Sequence, residues 1–246
     1  MVIALGLMLL QLQAAPQPAP LKITIYPLLV HAPIFGATLH LPDAGGGGEG
    51  GDQTATTDWS FNAAYMAGVS FEGPRWFAEG NGLWAALSAS RATPVGSLDA
   101  NTYFFTTRGG VRVFGRFSAT AGVRYISVKL DATLTEAVNP HDTISGGTKP
   151  TVWDPLIGLD WRGPASGRWT FDAAFQGGGF GVGTDVDLQG DFYADRHFGD
   201  HFDLRLGYTW VYYKLTVDNA QIGSLDRTLV SKQTLHGPAI GFGIVF

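Results

Sequence analysis

The chain has no cysteine, which excludes a disulfide framework, thiolate metal sites and a cysteine nucleophile. Charge is scarce as well. Asp, Glu, Lys and Arg make up 15% of the 246 residues, against about a quarter in soluble domains. The small surplus is acidic, net −5 with a pI near 5.6, so the clustered basic face that a nucleic-acid partner requires is missing. Long apolar runs are missing too: past the first residues, no stretch approaches the ~20 apolar residues of a spanning helix. Yet glycine reaches 34 residues and aromatics 13%, while mean hydropathy is only +0.08. A chain that is apolar at every second position accounts for all of this. It is neutral on average and can still coat one surface with hydrocarbon.

The first residues read as a targeting segment. Val2 to Leu12 is apolar apart from Gln11, and Ala14, Ala15 and a Pro-rich stretch from Pro16 to Pro20 follow. The run is too short to span a bilayer and has the length of a signal h-region, although no Lys or Arg precedes it. Residues 1–20 are therefore expected to be a signal peptide, its cleavage point unassigned, with residues 21–246 forming one domain.

Period two dominates that domain. At the C-terminus Ile240, Phe242, Ile244 and Phe246 alternate with Ala239, Gly241, Gly243 and Val245. Upstream, Phe202, Leu204, Leu206, Tyr208, Trp210 and Tyr212 fall on one face, and Asp203, Arg205, Gly207, Thr209 and Tyr213 on the other. Similar two-faced segments start near Trp59, Tyr103, Trp153, Trp169 and Thr184. Alternation alone does not separate a lipid-facing strand from a sandwich strand. The aromatic content of the apolar face, the charge on the opposite face and a length of about ten residues favour a tilted membrane strand. Gly122 to Thr135 changes phase near Tyr125 and Ile126, which predicts a bulge.

Tight turns are expected at Glu72-Gly73-Pro74, Phe117-Ser118, Gly163 to Gly167 and Phe198 to Asp200. Long linkers are expected at Pro42 to Asp58, Ala92 to Asn101, Ala137 to Pro150 and Thr216 to Ser231. Short turns on one side and long loops on the other are the habit of bacterial barrels, with the short turns periplasmic. The fold class is therefore all-β: a closed antiparallel transmembrane β-barrel of about ten strands (roughly 8–12), both termini on one side.

From about Thr24 to Phe246 the chain resembles the small Gram-negative outer-membrane β-barrel proteins of the porin-like superfamily, most of which have no assigned activity. The resemblance is carried by Gly122-Val123-Arg124-Tyr125, Trp153 to Gly158, Gly178 to Gly183, Leu206-Gly207-Tyr208 and His236-Gly237-Pro238 with the strand to the terminal Phe. It implies location in the cell outer membrane and contact with outer-membrane lipid. It also implies recognition by the barrel-assembly machinery through Ile240, Phe242, Ile244 and Phe246.

Candidate chemistry is thin. Gly177 to Gly183 lacks the Gly-Lys-Ser/Thr ending or the dinucleotide spacing of a phosphate loop and reads as a turn. His197 and His201, with Asp195 and Asp200, offer metal or acid/base groups, but at the expected periplasmic rim. No cofactor or metal is expected. The pattern places charges of both signs inward: Arg108, Arg112, Arg116, Asp154, Asp160, Arg162, Asp172, Asp185, Asp187, Asp191, Asp203 and Arg205. In a narrow lumen such ions must pair or stay hydrated, with Arg112 and Arg116 expected opposite Asp172 or Asp187. The leading expectation is a non-enzymatic barrel, structural or weakly pore-forming, with a charge-filled lumen. A surface adhesion or recognition protein acting through loops such as Ala44 to Asp52 is the alternative, and an outer-membrane lipid hydrolase or protease the third.

Overall fold

The computed structural model describes residues 21–32, 34–41, 53–56, 60–61, 64–92, 96–135, 143–163, 167–222 and 225–246. The expected signal peptide and the Gly-rich segment Ala44 to Asp52 lie outside these. Among the described residues fourteen strand segments belong to one sheet and, taken along the chain, make up ten barrel strands. β1 is Lys22–His31 continued by Ile34–Leu41. β2 is Gln53–Thr56, Ser60–Phe61 and Ala64–Glu72. β3 is Trp76–Ala92, β4 Gly96–Phe114 and β5 Phe117–Thr135. β6 is Thr143–Thr148 continued by Thr151–Arg162. β7 is Trp169–Gly179, β8 Val186–Phe198, β9 Phe202–Ile222 and β10 Leu225–Val245. Every strand pairs antiparallel with its sequence neighbours, and β10 pairs back onto β1 from Thr24↔Val245 to His31↔Ala239. Closure removes both sheet edges, the condition for a sheet in hydrocarbon, where an unpaired backbone group costs several kcal/mol.

The barrel is inside out by the standards of a soluble protein. Large apolar side chains stand exposed on its outer face, among them Leu28, Phe105, Ile157 at 60%, Phe175, Leu206 and Phe242 at 65%. Arg124 and Asp187 are buried within, at 1% and 0%. A continuous apolar exterior of this extent is stable only against lipid. Towards the outer end the lipid face carries aromatic pairs: Tyr65 stacks on Trp84 at 5.8 Å, Tyr125 lies 4.9 Å from Trp153, and Trp210 stacks on Tyr212 at 6.5 Å. Phe114 and Phe117, 4.9 Å apart, mark the other end. Aromatic rings at both ends of an apolar band form the girdles of a membrane barrel.

Three local expectations are corrected. β5 has no bulge near Tyr125: its register runs unbroken against β6, and against β4 it shifts only at the turn end, between Arg112 and Phe114, while Arg124, Ile126 and Val128 all point inward. The phase change near Tyr125 marks a lumen lining that passes from polar to apolar. The turn expected at Phe117-Ser118 falls at Gly115 and Arg116, with Gly115 in the left-handed region (φ 50°). Two of the outer linkers are largely strand. β9 and β10 stay paired to Ile222↔Leu225 across a register shift between Val217 and Ala220, and β4 starts at Gly96. At 21 residues each, β9 and β10 far exceed the 9–11 residues needed to cross a bilayer, so they rise above the membrane. β7 and β8, 11 and 13 residues long, do not, which leaves the outer rim low on that side.

β1 does carry an irregularity. Its register shifts around Pro27, between Ile25 and Leu28 against β10 and between Tyr26 and Leu29 against β2. Proline has no N–H for the ladder and is tolerated in sheets at bulges.

Leu206 faces lipid, so Leu206→Arg should destabilise the refolded barrel by about 2–4 kcal/mol if it lies near the midplane. The change should appear as a lowered urea midpoint in vesicles. An unchanged midpoint would contradict the assigned orientation.

Candidate functional site

The inward face is arranged in two tiers. The tier near the turns that hold both termini is ionic, and its pairs follow from strand register. Arg205 faces Asp195 across the β8–β9 ladder. Its Nε and Nη2 donate to the two carboxylate oxygens, at 2.7 Å each. The guanidinium is clamped between the rings of Tyr26 and Tyr193, 4.2 and 4.7 Å from the centroids, and it lies 3.7 Å from Asp172. A bidentate fork with aromatic faces on both sides suits Arg and would not suit Lys. Gly207 makes the clamp possible, because a Cβ there would run into the Tyr193 ring.

The same logic repeats around the barrel. Arg162 faces Asp172 in the β6–β7 register and donates to it from Nε at 3.1 Å, while its Nη1 pairs with Glu72 of β2. Arg108 faces Glu79 in the β3–β4 register, pairs with it, and reaches Asp160 of β6 at 3.2 Å. Phe77 lies under both guanidiniums, at 5.6 Å from Arg108 and 5.8 Å from Arg162. A Cβ at Gly122 would collide with Arg108, so that glycine leaves the lumen open for its side chain. His197 faces Asp203 and contacts its carboxylate from Nδ1 at 2.5 Å, while Nε2 meets the Thr170 hydroxyl at 2.8 Å.

Above this belt Arg124 pairs with Asp187 at 2.5 Å, donates to the amide oxygen of Gln189, and contacts Thr106 at 3.2 Å. Asp154 accepts two bonds from Thr184, from the backbone N at 2.7 Å and the hydroxyl at 2.8 Å, pinning the β7–β8 turn. Beside these polar residues the outer half of the lumen is apolar. Phe35, Leu83, Phe104, Ile126, Val128, Val211, Tyr213, Leu215 and Leu235 form one buried cluster, with Phe104 set edge-on to Tyr213 at 5.6 Å.

Among the described residues the ionic tier leaves open space. A vestibule of about 630 Å3 opens at the mouth where the termini lie, lined by Lys22, Tyr26, Glu72, Arg112, Arg116, Arg162, Asp172, Asp195 and Arg205. A chamber of only about 90 Å3 sits further in, among Glu79, Arg108, Asp160, Asp191 and Tyr193.

The structure brings together Arg108, Asp160, Arg162, Asp172, Asp187, Asp191, Asp203, Arg205 and Asp154 on the inward face. Three of the expected members lie elsewhere. Asp185 stands at the outer rim, paired with Lys214 at 2.9 Å, because the chain turns out of the wall before β8 begins. Arg112 and Arg116 lie exposed at the opposite mouth, and the partners expected for them are taken: Asp172 by Arg162 and Arg205, Asp187 by Arg124. Glu79, Arg124 and Asp195 were not anticipated. Simple parity carried on from Tyr193 reaches Asp195, and parity without the expected bulge reaches Arg124. Glu79 is hidden in the irregular stretch before Leu83. Of the histidines at the turn, His197 is engaged as above and His201 contacts the Val245 carbonyl at 3.3 Å. Among the described residues no group of three or more His, Asp or Glu is placed to hold a metal ion.

No family model matches the chain, and no curated protein matches it. Solved structures do. The outer membrane protease OmpT of Escherichia coli superposes with a TM-score of 0.50 at 10% identity, covering 94% of this chain and 98% of its own. The translocator domain of the autotransporter NalP of Neisseria meningitidis gives 0.40 at 16%, covering 99% and 94%. The attachment invasion locus protein Ail of Yersinia pestis gives 0.36 at 10%, covering 89% and 99%. The likeness to OmpT is one of fold, and the apolar exterior with its two girdles supplies the physics that goes with it. The chain is an integral outer-membrane β-barrel.

Proposed function

We propose that this protein is a non-enzymatic, closed outer-membrane barrel that works through what it presents at its two ends, not by passing solutes through its lumen. The observation that carries this is the double filling of the interior. A cross-linked ionic belt occupies the periplasmic half, and the Phe104–Tyr213 cluster seals the outer half. A pore selective for one ion sign would be lined by one sign of charge, whereas here each guanidinium of the belt is matched with a carboxylate. An inner chamber of about 90 Å3 has room for only a few waters.

The reading also speaks against hydrolysis. The His197–Asp203 contact sits at the periplasmic end with both ring nitrogens engaged, away from the outer leaflet. One observation favours recognition at the cell surface as a second reading: β9 and β10 carry a paired ribbon well above the membrane, on the tall side of an uneven rim. The partners in this reading are outer-membrane lipid around the barrel and the assembly machinery acting on the C-terminal strand. Ile240, Phe242, Ile244 and Phe246 stand exposed there as one apolar row.

Planar-bilayer recordings of refolded protein should show no resolvable steps, and Phe104→Ala with Tyr213→Ala should introduce brief openings. A large, steady wild-type conductance sinks the closed reading. Arg205→Leu leaves Asp195 buried and uncompensated, which should cost about 3–5 kcal/mol. The double change Arg205→Leu with Asp195→Leu should recover part of that loss in urea midpoint, and no recovery would mean the pair is not the relevant unit. Phe246→Asp should reduce the heat-modifiable, folded fraction in outer membranes, and normal abundance would remove the C-terminal row as an assembly signal.

A further inference from the structure

The vestibule has cations left over. Its carboxylates are already engaged: Glu72 with Arg162, Asp172 with Arg162 and Arg205, and Asp195 with Arg205. Lys22 has its own carboxylate, Asp203, at 3.9 Å. Arg112 and Arg116 line the same cavity, and among the described residues neither has a carboxylate within ion-pair distance.

Their placement is a product of the hairpin. The β4–β5 register shifts between Arg112 and Phe114, so Phe114 turns to lipid and stacks beside Phe117 while both arginines line the mouth. Bulges commonly re-aim side chains in this way. Arg75, on the neighbouring turn, brings a third guanidinium to the smaller recess that Arg112, Arg116 and Arg162 also line. Its carbonyl accepts the Arg112 N–H at 2.9 Å, which holds the two turns together. Like charges gathered at one mouth repel one another, and an anion among them relieves that repulsion.

We propose that the periplasmic vestibule is a binding cup for a small, multiply charged oxyanion, a phosphate- or carboxylate-bearing group held chiefly by Arg112 and Arg116. Guanidinium groups offer paired N–H donors matched to such oxygens. A volume of about 630 Å3 falls within the ~300–1,000 Å3 typical of small-molecule sites. The cup ends at the ionic belt, so it binds and releases on one side only. Anion binding does not depend on the lumen being closed, so failure of either reading leaves the other standing.

Full-length protein refolded in zwitterionic detergent should bind inorganic pyrophosphate, and more weakly citrate, saturably in isothermal titration calorimetry. Affinity should fall as salt is raised. Arg112→Gln with Arg116→Gln should weaken it by at least about tenfold and leave heat-modifiability intact, whereas Lys232→Gln, at the far end of β10, should change nothing. If the double variant fails to refold, Arg116→Gln alone, a change in an exposed turn, serves in its place. Nanodiscs separate the two sources of such a group. Loss of pyrophosphate binding in phosphatidylglycerol but not in phosphatidylcholine assigns the cup to a lipid headgroup, and binding in both assigns it to a soluble ion. No saturable wild-type binding of either probe at millimolar concentration overturns the proposal, as does equal binding by the double variant.

Discussion

A narrow barrel cannot leave a charge alone inside it. Moving an isolated ion out of water costs several kcal/mol even after relaxation, and a lumen filled with side chains has few waters to share. The Arg205–Asp195 fork between Tyr26 and Tyr193 shows how this constraint is met. Both fork hydrogen bonds are short and charge-assisted, both faces of the guanidinium are covered by rings, and the two residues are opposite one another in a ladder. Glycines at 207 and 122 then follow as clearances for large polar side chains, not as flexible points. The lipid-facing apolar rows follow too, since in a strand every inward ion fixes the parity of its neighbours.

That parity is what a sequence displays well. The outward rows of β9 and β10 could be read residue by residue, from Phe202 to Tyr212 and from Ile240 to Phe246, and the structure places them against lipid. The closed antiparallel barrel with both termini on one side was legible for the same reason. Reading failed where the rule "polar inward" failed. Ile126, Val128, Leu83 and Val211 are apolar and inward, and an alternation scheme meeting two apolar faces either inserts a bulge or ends the strand. The bulge expected at Tyr125 is such a case, whereas beyond Thr216 the polar residues Asp218, Asn219 and Gln221 read as a loop. Pairing across the lumen was not legible at all. Arg124 reaches Asp187, 63 positions away, and period two says which residues enter the lumen, not which of them meet.

The two tiers give the barrel a direction. At the end of its short turns the interior is ionic and opens through a vestibule, whereas its other end is closed by packed apolar side chains. Arg124 of β5, Asp154 of β6 and Asp187 of β8 carry polarity up to the low side of the rim, where Asp154 fastens the turn through Thr184. The tall β9–β10 ribbon stands beside it, with Val211, Leu215 and Leu235 buried at its base.

An apolar interior throughout would be simpler and, on energetic grounds alone, no less stable, since buried ion pairs are often no better than hydrophobic replacements. The ionic tier does something an apolar filling cannot. A strand slipped by one residue exchanges lipid and lumen faces and is excluded by solvation; a strand slipped by two keeps its faces and is excluded only by specific contacts. In this barrel such a slip sets Arg205 against Tyr193 or His197 in place of Asp195, Arg162 against Thr170 or Ala174 in place of Asp172, and Arg108 against Phe77 or Asn81 in place of Glu79. Each alternative strips a guanidinium of its cross-strand carboxylate in a space with little water, and three of the ten ladders are guarded in this way. The apolar tier offers no such discrimination, because Leu, Val and Phe accept one another in many alignments. The charges near the turns thus select one register in their ladders, and the apolar cluster above them fills the space that register defines.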